Sequence, residues 1–238
     1  MKLSVIIPVY NEENTICQLL GRVLHAPVKC GMEIIVINDG SRDSTPELLD
    51  KFYQTFRKSG YGHEIRIIHK PNGGKGSAIY EGLKSATGDI ILIQDADLEY
   101  FPEDYGRLLE PMLKGYSRVV FGSRFMGRII PHGMTFKNWI GNMVLNATAW
   151  ALYGWGSTTD LATCYKLWFR EDIPIDSLLC KGFEFCPVMF SSAWHRGLKV
   201  YEVPIGFQAR WYEDGKKITT LNGFYELWTL IKCRFNRR

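Results

Sequence analysis

The stretch DIILIQDADLEY (89–100) runs from apolar residues into Asp95, Asp97 and Glu99, three carboxylates at alternate positions. In an extended chain they would point to one side. Like charges packed this closely are costly unless a cation neutralises them, and hard carboxylate oxygens suit Mg²⁺ or Mn²⁺, which would in turn grip a diphosphate. The alternative is a solvated acidic turn with an aspartate capping the next helix. The place of the stretch in the fold decides between the two.

The elements that must position it alternate regularly. LSVIIPV (3–9) has the pattern of a buried strand, and Ile16, Leu19, Leu20, Val23 and Leu24 then fall on one face of a helix. EIIVI (33–37) precedes a helix begun by Ser44, Thr45 and Pro46. EIRIIH (64–69) precedes a helix over 76–86, and DIILIQ (89–94) one over 103–114. VVFGSRF (119–125) reads as the last strand of the core. Strands apolar on both faces, joined by crossover helices, make an α/β fold with a doubly wound, mostly parallel sheet. Ligands of such sheets bind beyond the carboxyl ends of the strands.

Those ends carry Pro8, Tyr10, Asn11 and Glu12 after the first strand, NDGSRDST after the second, KPNGGKGSA after the third and DADLE after the fourth. The acidic row therefore lies where a ligand is expected, which favours the cation. PVYNEEN has no glycine and so no dinucleotide fingerprint, and NGGKGS lacks the GxxxxGK[ST] spacing. NAD binding and Walker-type ATP chemistry are disfavoured.

With 46% hydrophobic and 23% charged residues the chain reads as an ordinary folded protein, neither disordered nor fibrous. Its N-terminus shows no small-residue cleavage site, so no secretory signal is expected. Six cysteines without a CxxC pair argue against zinc and fit reduced thiols in the cytoplasm. Residues 207–238 hold seven Lys/Arg against three Asp/Glu and so carry the whole net charge of +4, while 111–159 hold Lys114, Arg118, Arg124, Arg128 and Lys137 and no acid. The anionic partner this implies is a phosphate or an anionic membrane surface, and no nucleic acid is expected.

SVIIPVYNEE, VINDGSRDST, NGGKGSAIYEGL and DADL, in this order and at these separations, resemble the family 2 inverting glycosyltransferases with a GT-A fold, within them the branch of dolichyl-phosphate mannose synthase and other polyprenyl-phosphate glycosyltransferases. The resemblance spans about residues 3–217. It implies that Pro8, Tyr10, Glu12, Ile37 and Asp39 form the base and ribose pocket. By the same resemblance Lys75, Asp95, Ala96 and Asp97 meet the diphosphate and metal, with Glu99 where such synthases often carry a glutamine ligand. Arg124 matches an arginine that contacts phosphates, and Asp160 would line the sugar pocket. Arg210 and Lys216, in FQARWYEDGKKI (207–218), would sit on a loop reaching the donor and acceptor phosphates, able to close when phosphate arrives.

What the resemblance implies is a single GT-A unit over 1–238, with a nucleotide-sugar-binding half (1–122) and an acceptor-binding half with a basic tail (123–238). Its reaction would move a sugar from a nucleotide-diphosphate donor to a polyprenyl phosphate, using Mg²⁺ or Mn²⁺. A lipid phosphate is already anionic and needs no general base, which agrees with five histidines lying outside every motif. A hydroxyl acceptor would need one, with Asp160 the candidate and Glu184 a weaker one. A polysaccharide or other hydroxyl acceptor, and a non-catalytic nucleotide-sugar binding module, are the alternatives. NWIGNMVLNATAWALYGWG (138–156) is too broken by Asn142 and Asn146 to span a bilayer and reads either as an interfacial helix or as one packed on the core. Attachment to the cytoplasmic face of a membrane is then expected to be peripheral or to depend on a membrane-anchoring partner protein.

Overall fold

In the computed structural model the residues described are 1–59, 62–210 and 220–236. Apolar runs and helical stripes become four βα units: β1 (Lys2–Val9) and α1 (Ile16–Leu24), β2 (Gly31–Asp39) and α2 (Thr45–Ser59), β3 (Glu64–Lys70) and α3 (Lys75–Ser85), β4 (Ile90–Ile93) and α4 (Tyr105–Leu113). One 3-10 turn, Pro102–Asp104, introduces the last helix. Then follow β5 (Val119–Ser123), α5 (Phe136–Tyr153), β6 (Lys166–Phe169), α6 (Phe185–His195), β7 (Val200–Pro204) and α7 (Thr220–Phe235).

One sheet of seven strands has the order β3-β2-β1-β4-β6-β5-β7. Every pairing is parallel except those of β6, which runs antiparallel to both β4 and β5. The core expected to end with β5 therefore gains two further strands, and the chain returns from β5 to fill the gap beside β4. The chain steps outward from β1 to β2 and β3, then crosses to the other side of β1 for β4. That reversal opens a crevice at the carboxyl ends of β1 and β4, where Tyr10 and Asp95 emerge.

The two ends of the sheet are treated differently. At the amino ends Glu33 is fully buried, yet Ser4, Lys2, Thr87 and the Gly88 amide all donate to it. Burial opposes its ionisation, but these donors hold its pKa down at about 2. At the carboxyl ends the acids are less completely satisfied.

Helices α5 and α7 also expose apolar residues that would ordinarily face inward. On α7, Leu221, Phe224, Tyr225 and Trp228 recur at one helical face and are all exposed, whereas Glu226 on the opposite face is buried. Phe136, Ile140 and Val144 are exposed on α5, against which α7 packs. No helix among the described residues is long and apolar enough to cross a membrane.

Candidate active site

The loops after β1 and β2 are sewn together by short polar side chains. Thr45 accepts from the Glu12 amide, Asn11 from the Arg42 amide, and Ser41 from the Asn11 amide, which Asn11 permits by taking a positive φ of 49°. Pro8 and Tyr10 then face the crevice from one side and Asp39 from the other. Asp39 is nearly fully buried, and its carboxylate accepts the amides of Gly73 (2.9 Å) and Gly74 (2.8 Å). It thereby pins the turn that leads into α3. Gly74 sits at φ +90°, and a Cβ there would lie 2.4 Å from the Lys181 carbonyl, so glycine is required. Ile37, expected in the base pocket, lies in mid-strand with a fully buried side chain packed in the core, and does not reach the cavity.

The turn delivers Lys75 to the first position of α3, where its ammonium lies 2.6 Å from Asp95. Burial works against that charge, and Asp95 more than offsets it, raising the lysine well above its usual pKa. The acidic stretch itself is not extended. β4 stops at Ile93, Leu98 adopts φ +63°, and Asp97 accepts the Glu99 amide at 3.1 Å. Partial burial and the neighbouring charges of Asp95 and Glu99 push Asp97 up to about 7.

Glu99 is turned to another task. The chain leaving β7 folds back over it: the Gln208 amide donates to the Glu99 carbonyl, and the Arg210 amide to its carboxylate at 2.8 Å. Among the described residues no three His, Cys, Asp or Glu side chains converge to hold a metal. Glu99 thus leaves the expected three-carboxylate row to anchor the returning segment, and Asp95 and Asp97 remain facing the cavity. Two hard carboxylates, one of them raised in pKa by burial and by the other's charge, are the residues that would hold a divalent cation, which would supply neutralising positive charge there.

Arg210 is held over this pair. Its guanidinium makes a fork to both oxygens of Glu12, at 3.0 and 3.1 Å, and lies 3.5 Å from Asp97. Lys216 falls outside the described residues.

Arg124 follows β5 directly and is buried beneath Phe207 and Tyr100, 5.1 and 5.9 Å from their ring centroids. Asp160 grips it twice, at 2.7 and 2.6 Å, and accepts its amide as well. Burial opposes the guanidinium charge, but Asp160 raises its pKa further still. Asp160 is fully buried, with both oxygens committed, and does not line the cavity. The sugar-pocket role expected of it is corrected to that of a positioning residue behind Arg124, and it is no candidate base.

These groups surround one cavity of about 680 Å³. Pro8, Tyr10, Glu12, Asp39, Lys75, Asp95, Ala96, Asp97, Glu99, Arg124 and Arg210 all contribute to its wall. The far side comes from the half expected to bind the acceptor, through residues not singled out for that role: Asn142, Val144 and Leu145 of α5, Phe183 before α6 and Phe185 in it, and Phe224, Glu226 and Leu227 of α7. Glu184 is not on the wall; it accepts the Lys181 amide.

Comparison with known proteins bears on the family and the fold. The model of glycosyl transferase family 2 matches residues 4–172. An undecaprenyl-phosphate 4-deoxy-4-formamido-L-arabinose transferase of Proteus mirabilis is 31% identical over 97% of this chain and 68% of its own length. The protein of the same name from Pectobacterium atrosepticum is 41% identical over 49% of this chain and 35% of its own. This chain thus spans at most about two thirds of those relatives. Glucosyl-3-phosphoglycerate synthase of Mycobacterium tuberculosis, solved with Mn²⁺, UDP-glucose and phosphoglyceric acid, shares the fold with a TM-score of 0.72 at 18% identity, over 98% of this chain and 79% of that one. A GT-A sheet, a crevice at its switch point and a family match over more than half the chain lead to one conclusion: this protein belongs to glycosyl transferase family 2 and is a glycosyltransferase.

Proposed function

We propose that this enzyme transfers a sugar from a nucleoside diphosphate to a polyprenyl phosphate, with inversion at the anomeric carbon. The observation that carries the reading is the two-ended cavity. Carboxylates, Lys75, Arg124 and Arg210 gather at the strand ends, and the opposite wall, interrupted by Asn142 and Glu226, is otherwise apolar through Val144, Leu145, Phe224 and Leu227. A phosphate joined to an isoprenoid chain needs both kinds of surface. The relatives named for undecaprenyl phosphate support the same choice.

An anionic phosphate oxygen of the acceptor attacks the anomeric carbon, and the bond from that carbon to the donor's β-phosphate oxygen breaks, its electron pair leaving with the nucleoside diphosphate. No proton has to be removed from the nucleophile. Lys75 and Arg210 offer positive charge beside the departing diphosphate, and Arg124, locked by Asp160, offers a fixed cation for a phosphate of donor or acceptor. Mg²⁺ or Mn²⁺ on Asp95 and Asp97 would supply Lewis-acid neutralisation of the leaving group.

The purified protein, given Mn²⁺, UDP- and GDP-sugars and a polyprenyl phosphate in detergent, should move label from the sugar into the lipid-extractable fraction. Transfer confined to water-soluble hydroxyl acceptors would replace this reading with the hydroxyl alternative. Absence of any transfer would favour a binding module.

A lipid acceptor also requires access to a bilayer, and we place the enzyme peripherally on a membrane surface. The exposed stripe of Leu221, Phe224, Tyr225 and Trp228 adjoins Phe136, Ile140 and Val144, with Arg128, Lys137 and Lys232 exposed on the same half of the chain. Exposed apolar residues and exposed cations together suit an anionic interface. Trp139 and Trp150, by contrast, are half-buried and donate their indole N–H groups to the carbonyls of Ile129 and Thr158. Flotation with anionic vesicles should therefore show binding that persists at high salt. Tyr225→Glu with Trp228→Glu should remove that salt-resistant part without lowering the melting temperature, since both side chains are exposed. Unchanged flotation of the double variant would remove α7 from the interface.

A further inference from the structure

Among the described residues Glu226 is the one carboxylate on the far wall of the cavity, and no hydrogen bond or ion pair reaches it although it is only 9% exposed. The charged groups that face it are Lys75 from α3, Lys166 from β6, Arg124 after β5 and Glu184 before α6. Each is already committed elsewhere. Lys75 is paired with Asp95, Arg124 with Asp160, and Glu184 accepts the Lys181 amide. Lys166, whose pKa burial lowers, donates to the Leu161 carbonyl and lies over the Phe121 ring. With no neighbour close enough to compensate, burial pushes Glu226 up to about 7. Its carboxylate is not sealed off but opens to the cavity, so a ligand that fills that space must supply the hydrogen bonds the protein does not.

The sheet order says which part of a ligand arrives there. Nucleoside-side residues stand over β1 and β2, the diphosphate-side residues Asp95 and Asp97 at the end of β4, and next in the sheet come β6 and β5, whose Trp168 and Phe121 meet Phe185 and Phe190 of α6, with α7 packed in turn on α6 and α5. In a nucleoside diphosphate sugar the parts follow in that same order. An anion would repel a phosphate, whereas a sugar presents O–H and N–H donors. Resting on the proposed reaction, we infer that Glu226 is a specificity-determining residue that takes hydrogen bonds from the hydroxyl or amine groups of the transferred sugar.

Calorimetric titration of a panel of UDP- and GDP-sugars against UDP and GDP alone, in the presence of Mn²⁺, tests this without requiring turnover. Glu226→Leu should weaken binding of the preferred nucleotide sugar by about 10- to 100-fold and flatten the ranking across the panel, while affinity for the nucleoside diphosphate changes by less than about 2-fold. Glu226→Gln, which keeps an acceptor oxygen, should fall between. The melting temperature should not drop in either variant, because an unpartnered buried carboxylate is being removed. Equal losses for sugar nucleotide and nucleoside diphosphate, or no loss at all, would overturn the inference. So would a Glu226→Gln enzyme that binds normally but has lost kcat and the acidic limb of its pH–rate profile, since that pattern marks a general base for a hydroxyl acceptor. A wild-type protein that shows the sugar-binding contrast but transfers nothing would instead sink the proposed reaction and leave Glu226 in its role.

Discussion

Asp97→Ala is expected to lower kcat/KM by about 10³-fold or more and to make UDP or GDP binding independent of Mn²⁺. The arrangement around Asp97 gives the reason. One oxygen of Asp95 is taken by Lys75 and one oxygen of Asp97 by the Glu99 amide. The second oxygen of Asp97 is turned toward Arg210 and the cavity, at 3.5 Å from the guanidinium. It is the better placed of the two acids to meet a cation that also touches a diphosphate. Losing Lewis-acid stabilisation of the leaving group removes several kcal/mol of transition-state binding, about three decades in rate. The fold should survive, because Asp97 is crowded by like charge and its removal relieves repulsion. Calorimetry with Mn²⁺ and with EDTA, beside a thermal melt, is the measurement. A variant that still binds nucleoside diphosphate more tightly with Mn²⁺ than with EDTA would take the metal away from this residue.

The first half of the molecule was open to reading because each strand is a continuous apolar run and each crossover helix a clean stripe, so local pattern and global topology agree. The acid row was open for the same reason: it sits at a strand end. What the row does in detail was not, since its alternation implies an extended chain and the backbone instead turns at Leu98 to hand Glu99 to Arg210. β6 and β7 are short, of four and five residues, and their pairing with β4 and β5 is non-local, so no neighbouring pattern announces them. Arg124 and Asp160 could each be picked out by type, but that they neutralise one another is a fact of packing across 36 residues. Glu226 was hidden by an inversion. The positions 221, 224, 225 and 228 look like the buried face of α7, which would put residue 226 in solvent; in the folded chain the apolar stripe faces outward and the glutamate inward. A helix whose apolar stripe is left exposed defeats the rule that assigns such faces to the core.

Arg210→Ala should lower kcat by about 10²-fold while changing the donor KM by no more than about 3-fold. Arg210 is not a solvated lid residue in this structure. Its amide is fastened to Glu99, and its guanidinium spans Glu12 after β1 and Asp97 after β4. A donor that brings two phosphates into this region supplies anionic oxygens that compete with Glu12 for the fork. In the ground state the exchange replaces one charge-assisted pair by another, so little net binding is gained. As the anomeric bond breaks, negative charge grows on the leaving diphosphate, and Arg210 stabilises that state more than the bound donor, which raises kcat rather than affinity. Removing a donor aimed at developing charge typically costs a factor of about 10² to 10³. Arg210→Ala also strips Glu12, only 7% exposed, of its fork, so a Glu12→Gln, Arg210→Ala double variant is needed to separate a stability loss from a catalytic one. The double variant should recover the melting temperature and remain slow. A rise in donor KM alone, with kcat unchanged, would make Arg210 a uniform binding contact; recovery of kcat in the double variant would make it a structural clamp on Glu12.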